Sequence, residues 1–261
     1  MQEGLPARVL VSVATYNEAG NVRELVAQIR AALPAAHLLV VDDNSPDGTG
    51  RIVDELGAAD PHVHCLHRAG KLGLGTAIIT AMRYAIANDY DAMINMDADF
   101  SHPPRYLPAM LEGMRRTDIV IGSRYVPGGG SEQWPLSRQF MSRGVNLLVR
   151  GLLRIPVHDA SGGFRAYRVS KLRRVNFARM KSKGYSFQQE MLYRCLLAGA
   201  TVGETPIIFA NRKHGQSKVS LKETTRSLYT IVRLGVRAML GVERRAARRD
   251  RAATDGPSPA D

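Results

Sequence analysis

The chain has 261 residues, of which 44% are hydrophobic and 23% charged, enough to bury one sizeable core and to leave a tail beyond it. A formal net charge of +12 points to anionic partners, whether nucleotides, lipid headgroups or nucleic acid. Two widely separated cysteines, Cys65 and Cys195, indicate neither a zinc site nor a disulfide framework and fit a reducing cytoplasmic setting, while no charged leader and no apolar run approaching the ~20 residues of a membrane span is seen.

In chain order, short β-branched runs at 9–14, 38–41, 62–66, 92–96 and 119–121 alternate with helical patterns at 21–33, 48–57, 76–88 and 104–115. This rhythm predicts an α/β fold, a mainly parallel sheet with helices on both faces. Ligands of such sheets collect at the carboxyl ends of the strands. Those ends are polar here: Thr15-Tyr16-Asn17-Glu18, Asp42-Asp43-Asn44-Ser45, Asp97-Ala98-Asp99 and Gly122-Ser123-Arg124-Tyr125. After Val126 the rhythm breaks into a Gly128-Gly129-Gly130 loop, a helix over 137–153, the run Asp159-Ala160-Ser161-Gly162-Gly163, a helix over 187–198 and an extended 201–210. A basic helical tail follows. The expected division is a catalytic domain over 1–220, an amphipathic tail over 221–250 and a disordered 251–261.

Asp97 and Asp99 end an apolar strand, where two carboxylates repel unless a cation or hydrogen bonds satisfy them. Mg²⁺ or Mn²⁺ held by one or two carboxylates together with substrate phosphates is the usual answer for diphosphate chemistry; the alternative is that Asp99 or Ser101 only caps the next helix. Asp42 either accepts hydrogen bonds from a base or ribose or belongs to a turn, and Ser45 and Asp47 suit the turn and cap. Gly70-Lys71-Leu72-Gly73-Leu74-Gly75-Thr76 fits neither the Walker spacing nor the dinucleotide fingerprint, which disfavours a kinase or dehydrogenase. Arg124, Arg138, Arg165, Arg212 and Lys218 fall among Gly, Ser and Pro, and together supply cations able to hold a diphosphate beside an acceptor phosphate. In the tail, Arg226, Arg233, Arg237 and Arg244 share one helical face, with Leu228, Tyr229, Val232, Val236, Met239 and Leu240 on the remaining arc. That helix either lies in a membrane interface or packs on the domain.

Taken together, Ala14-Thr15-Tyr16-Asn17-Glu18, Val41 to Gly48, Lys71 to Thr76, Met96 to Pro103, Gly122 to Tyr125, Trp134 to Arg138, Ser161 to Arg165, Lys183 to Met191 and Gly215 to Lys218 resemble the dolichol-phosphate (polyprenol-phosphate) mannose synthase family, inverting family-two glycosyltransferases of GT-A fold. The resemblance covers about residues 8–240. It implies that Ala14, Thr15, Tyr16, Glu18, Asp42, Asp97, Ala98, Asp99, Arg212 and Lys218 hold the nucleotide sugar, that Asp97 and Asp99 bind the metal, and that Ser123, Arg124 and Arg138 meet the acceptor phosphate. Asp97, Asp99 and Arg124 would carry the catalysis, with lesser parts for Arg165, Glu190 and Ser101. Two positions depart from the family pattern: Ala14 where Pro is frequent, and Ser101 where Gln is frequent.

The implied reaction moves mannose from GDP-mannose to a polyprenyl phosphate by one in-line displacement, with UDP-glucose as the alternative donor. A phosphate is already ionised at neutral pH, so no general base is needed. The implied partners are a membrane surface on its cytoplasmic face and, for a chain of the class without transmembrane helices, a small membrane-anchoring protein. A nucleic-acid-binding module, the rival from charge alone, is disfavoured by 6% aromatics, one Trp and no recognisable RNA- or DNA-binding motif.

Overall fold

The computed structural model describes residues 4–182, 184, 186–210 and 221–254. The first half is the expected alternation: β1 (Val9–Thr15), α1 (Ala19–Ala32), β2 (His37–Asp42), α2 (Thr49–Ala59), β3 (Val63–His67), α3 (Leu74–Ala87), β4 (Ala92–Asp97), α4 (Leu107–Gly113) and β5 (Ile119–Ser123). The helix expected over 104–115 opens as a 3₁₀ turn, Pro104–Tyr106, before α4, since Pro108 has no N–H to donate to the Pro104 carbonyl and Leu107 N donates there instead.

The second half contributes β6 (Gly130–Ser131), α5 (Leu136–Leu153), β7 (Arg165–Arg168), α6 (Val169–Leu172), α7 (Phe187–Leu197), β8 (Val202–Pro206), β9 (Ile208–Phe209), α8 (Leu221–Met239) and α9 (Val242–Thr254). Seven strands form one sheet in the order β3-β2-β1-β4-β7-β5-β8. All neighbours are parallel except β7, which runs antiparallel between β4 and β5. β6 and β9 pair separately.

Alternation along the strands builds a core on each face. Leu10, Leu39, Val41 and Met93 join α3, α5 and α7 on one side. Val9, Val11, Leu38, Val40 and Ile94 join α1, α2 and α4 on the other. The tail helix packs on the first of these cores through buried Ile231 and Leu234, and a Cβ on Gly235 would come within 2.9 Å of Leu152 Cβ on α5. The domain-packed reading of the tail is therefore realised, yet Leu228, Tyr229, Val232, Val236, Met239 and Leu240 remain exposed. Gly241, at φ +70°, separates α8 from α9, and α9 extends to Thr254, inside the stretch expected to be disordered. No helix among the described residues is long and apolar enough to cross a membrane.

Candidate active site

Sheet register assembles the front of the site. Ala14 pairs with Asp97 across β1 and β4, and Thr15 with Asp42 across β1 and β2, so the carboxyl ends of three adjacent strands present these residues in a row. Asp42 is buried. Its carboxylate accepts from Thr15 Oγ1 at 2.8 Å, Ser45 N at 2.9 Å and Ser45 Oγ. Ser45 Oγ in turn accepts from Asn17 N, and Asp47 accepts from Ala19 N and Thr49 N, so Ser45 and Asp47 do the turn work the sequence suggested. Asp42 thus ties the two loops together. Tyr16 is partly exposed beside them, with Lys71 Nζ 4.0 Å above its ring; Glu18 accepts from Asn21 Nδ2 at 2.7 Å. The glycine-rich loop carrying Lys71 is anchored by Asp43, which receives Arg68 Nε at 2.6 Å and Leu72 N at 3.2 Å. Gly75 has no room for a side chain, because a Cβ would lie 2.7 Å from Phe187 Cδ2.

The second group surrounds Asp97-Ala98-Asp99. Asp99 accepts the backbone N–H of Ser101 at 3.0 Å, whereas the following 3₁₀ turn has Pro103 at its N-cap and no side-chain cap bond. The cap reading of Asp99 and Ser101 is not realised. Phe100 adopts φ 62°, turning the chain sharply between the two. Asp97 N donates to His102 Nδ1 at 3.0 Å. An imidazole accepting there is neutral; burial pushes the His102 pKa down against the opposing pull of Asp97 and Asp99. His102 stacks on Phe164 and meets the edge of Phe209.

These carboxylates fit a divalent cation bound with substrate phosphates. A Cβ on Gly163 would lie 3.8 Å from Asp97 Oδ1 and 3.6 Å from Gln188 Nε2, so the missing side chain leaves space beside the carboxylate. Gln188 Oε1 and Ser101 Oγ are buried with no hydrogen-bond partner, a costly state for the protein alone. Oxygen donors of this kind suit Mg²⁺ or Mn²⁺.

The third group is cationic. Arg124 lies in a buried fork with Asp159, Nε to Oδ2 and Nη2 to Oδ1 both at 2.7 Å, and Nη2 also reaches Ser161 Oγ at 2.8 Å. Asp159 is held in turn, its backbone N–H and that of His158 donating to Glu204. The Arg138 guanidinium sits 3.8 Å from the Trp134 ring centroid and that of Arg124 5.1 Å from the same ring, so the structure brings these two predicted arginines together. Phe209 joins the groups, lying 5.6 Å from the Arg124 guanidinium and 5.5 Å from the His102 ring.

Three predicted residues sit deeper. Ser123 is buried, its Oγ accepting from Tyr125 N and its carbonyl from Ile207 N. Arg165, with no exposed surface, donates to the carbonyls of Gly162, Gln188 and Ala160. Glu190 is buried, accepts Lys181 N and Ser182 N, and pairs with Arg194 at 2.6 Å. Burial would raise its pKa, but the Ser182 and Arg194 interactions prevail and hold it low. Arg165 thereby ties the 160–162 loop to α7, and Glu190 ties residues 181 and 182 to the same helix. Arg212 and Lys218 lie outside the described residues.

Sequence reasoning missed His102, Asp159, Gln188 and Glu204. The available signal for Asp159 was an acid in a run of small residues, where a buried carboxylate demands a cation. His102 and Gln188 stood inside quoted motifs without a role.

Comparison with known proteins gives the family. The family described as Glycosyl transferase family 2 matches residues 10–175. An undecaprenyl-phosphate mannosyltransferase of Micrococcus luteus is 42% identical over 231 residues, 88% of this chain and 95% of that protein. A polyprenol monophosphomannose synthase of Mycolicibacterium smegmatis is 40% identical over 235 residues, 89% of each. Among solved structures, glucosyl-3-phosphoglycerate synthase from Mycobacterium tuberculosis, in complex with Mn²⁺, uridine diphosphate and glucosyl-3-phosphoglycerate, shares the fold with TM-score 0.59 at 17% identity, covering 89% of this chain and 79% of that one. The chain belongs to glycosyl transferase family 2 and is a glycosyltransferase of GT-A-like fold.

Proposed function

We propose that this enzyme transfers mannose from GDP-mannose to the phosphate of a polyprenyl lipid, with inversion to the β-mannoside. The observation that carries the reading is the juxtaposition of two unlike groups. Asp97 ends β4 with Asp99 just beyond it, and Arg124 and Arg138 both lie against the Trp134 ring, with Phe209 beside Arg124. Carboxylates suit the metal-bound diphosphate of a donor, and the cations suit an anionic acceptor. The 42% and 40% identical relatives are named for this acceptor class and this sugar.

Asp97 and Asp99 would hold Mg²⁺ or Mn²⁺, which neutralises charge on the leaving diphosphate. His102 fixes the Asp97 backbone, and Asp42, Thr15, Tyr16 and Glu18 frame the nucleoside end. Arg212 and Lys218 complete the phosphate contacts in this reading. An acceptor phosphate needs no proton removed, so catalysis rests on bringing two anions together.

A lipid acceptor requires a membrane surface. Leu136, Phe140, Met141 and Leu147 on α5 are exposed, as are Tyr229, Met239 and Leu240 on and after α8; these apolar side chains support peripheral docking on a membrane, which in this reading takes place on the cytoplasmic side, directly or beside a small anchoring protein.

The test is transfer of radiolabelled sugar from GDP-mannose, and in parallel UDP-glucose, to a short polyprenyl phosphate with and without Mg²⁺ or Mn²⁺. Metal-dependent mannolipid, reduced on the order of 10²-fold or more in Asp99→Ala, is expected. Glucolipid instead replaces the donor, and no transfer to any lipid phosphate overturns the acceptor.

A further inference from the structure

The edge of the sheet farthest from Arg124 carries donor atoms that the transfer reaction does not use. β3 is the edge strand. Residues two apart on a strand share a face, so Cys65 and His67 project to the same side, where Asp54 on α2 meets them. His67 Nε2 lies 3.0 Å from both carboxylate oxygens of Asp54. One donor atom each from Asp54, Cys65 and His67 lies within 4.8 Å of the other two, the one such trio among the described residues.

We propose that Asp54, Cys65 and His67 form a site for a borderline divalent transition-metal ion, foremost Zn²⁺, separate from the Asp97 and Asp99 carboxylates. Thiolate, imidazole and carboxylate are the ligand types that zinc takes, and three protein ligands leave a fourth tetrahedral position for water. Sulfur disfavours Mg²⁺, which selects oxygen. With Zn–S near 2.3 Å and Zn–N near 2.0 Å, tetrahedral ligands stand about 3.5 Å apart, so side-chain adjustments of about 1 Å close the site.

A second feature prepares the histidine. A Cβ on Gly50 would fall 2.7 Å from His67 Cε1 and 2.9 Å from Nδ1; the missing side chain therefore provides the seat of the ring and leaves Nε2 turned to Asp54. The same point lies 3.2 Å from Asp42 Oδ2, which places the site next to the carboxylate that ties the β1 and β2 loops. Cysteine spacing alone gave no sign of it, because one ligand comes from a helix and only one of the three is Cys. Coordination replaces the thiol proton, so each bound ion releases one proton and binding strengthens as pH rises.

Cobalt provides the test, since thiolate-bound Co²⁺ shows a sulfur-to-metal charge-transfer band together with the visible bands of a tetrahedral ion. The sequence has two cysteines, and Cys195 is fully buried in the core. Titration of the full chain is expected to saturate at one thiolate-bound Co²⁺ per chain, displaced by Zn²⁺, with the band lost in Cys65→Ser and kept in Asp99→Ala. His67→Ala and Asp54→Asn alter exposed side chains, and each is expected to weaken binding by on the order of tenfold or more. The absence of a thiolate band overturns the proposal. So does a band that survives in Cys65→Ser, or wild-type affinity in both His67→Ala and Asp54→Asn.

Discussion

The Arg124–Asp159 fork makes stability depend on pH. Burial would raise the Asp159 carboxyl pKa, but the hydrogen bonds and charge of Arg124 outweigh it and hold the value below the usual carboxylate range. A depressed folded-state pKa stabilises the fold above the unfolded value of about 3.9, and the contribution is lost as pH falls through the folded value. Asp159→Ala leaves a buried guanidinium without its partner and is expected to cost about 3–5 kcal/mol; urea unfolding should show the gap from wild type shrinking below about pH 4. The grouping of Asp97, Thr15 and Asp42 was legible because each ends an apolar strand and the sheet register sets the strand ends side by side, with Asp99 two residues beyond. Asp159 was not. Its partner lies 35 positions earlier, and no local pattern announces a pairing across that distance.

Among the elements, α5 and α8 depend on close approach. Gly235→Val would drive a branched side chain into Leu152, whose Cβ is already 2.9 Å from the first added carbon, and overpacking of this kind costs about 1–3 kcal/mol. Limited proteolysis should therefore cut α8 earlier in the variant than in wild type, while β1 to β5 stay protected. The outer side of the same pair makes a different prediction. Phe140→Ser with Leu147→Ser removes two exposed apolar side chains and should leave the melting temperature nearly unchanged. Binding to vesicles should fall on the order of tenfold or more, since a buried large apolar side chain is worth about 1.5–3 kcal/mol. The five parallel strands of the first half were readable from their β-branched runs. β7 was missed because Arg165-Ala166-Tyr167-Arg168 is only four residues long and carries charge at both ends; its first arginine is satisfied by hydrogen bonds to carbonyls of the loop before it and of α7.

For the whole molecule, a net charge of +12 makes association with anionic surfaces salt-dependent. Vesicles containing anionic lipid should retain the enzyme at low ionic strength and release much of it near 1 M salt, where the screening length is about 3 Å; release that ignores salt would assign docking to apolar contact alone. The position of β7 has a consequence of another kind. A strand from the later half of the chain lies between two strands of the earlier half, bonded to β4 on one side and β5 on the other. The earlier and later halves of the chain are thus interleaved like the fingers of two hands, and a cut of the gene between them would give no autonomous pieces. The first piece would hold β5 apart from β4 across an empty slot of exposed amides. The two halves therefore share one cooperative unfolding unit, and in evolution they can diverge by exchanging loops but not by being exchanged whole.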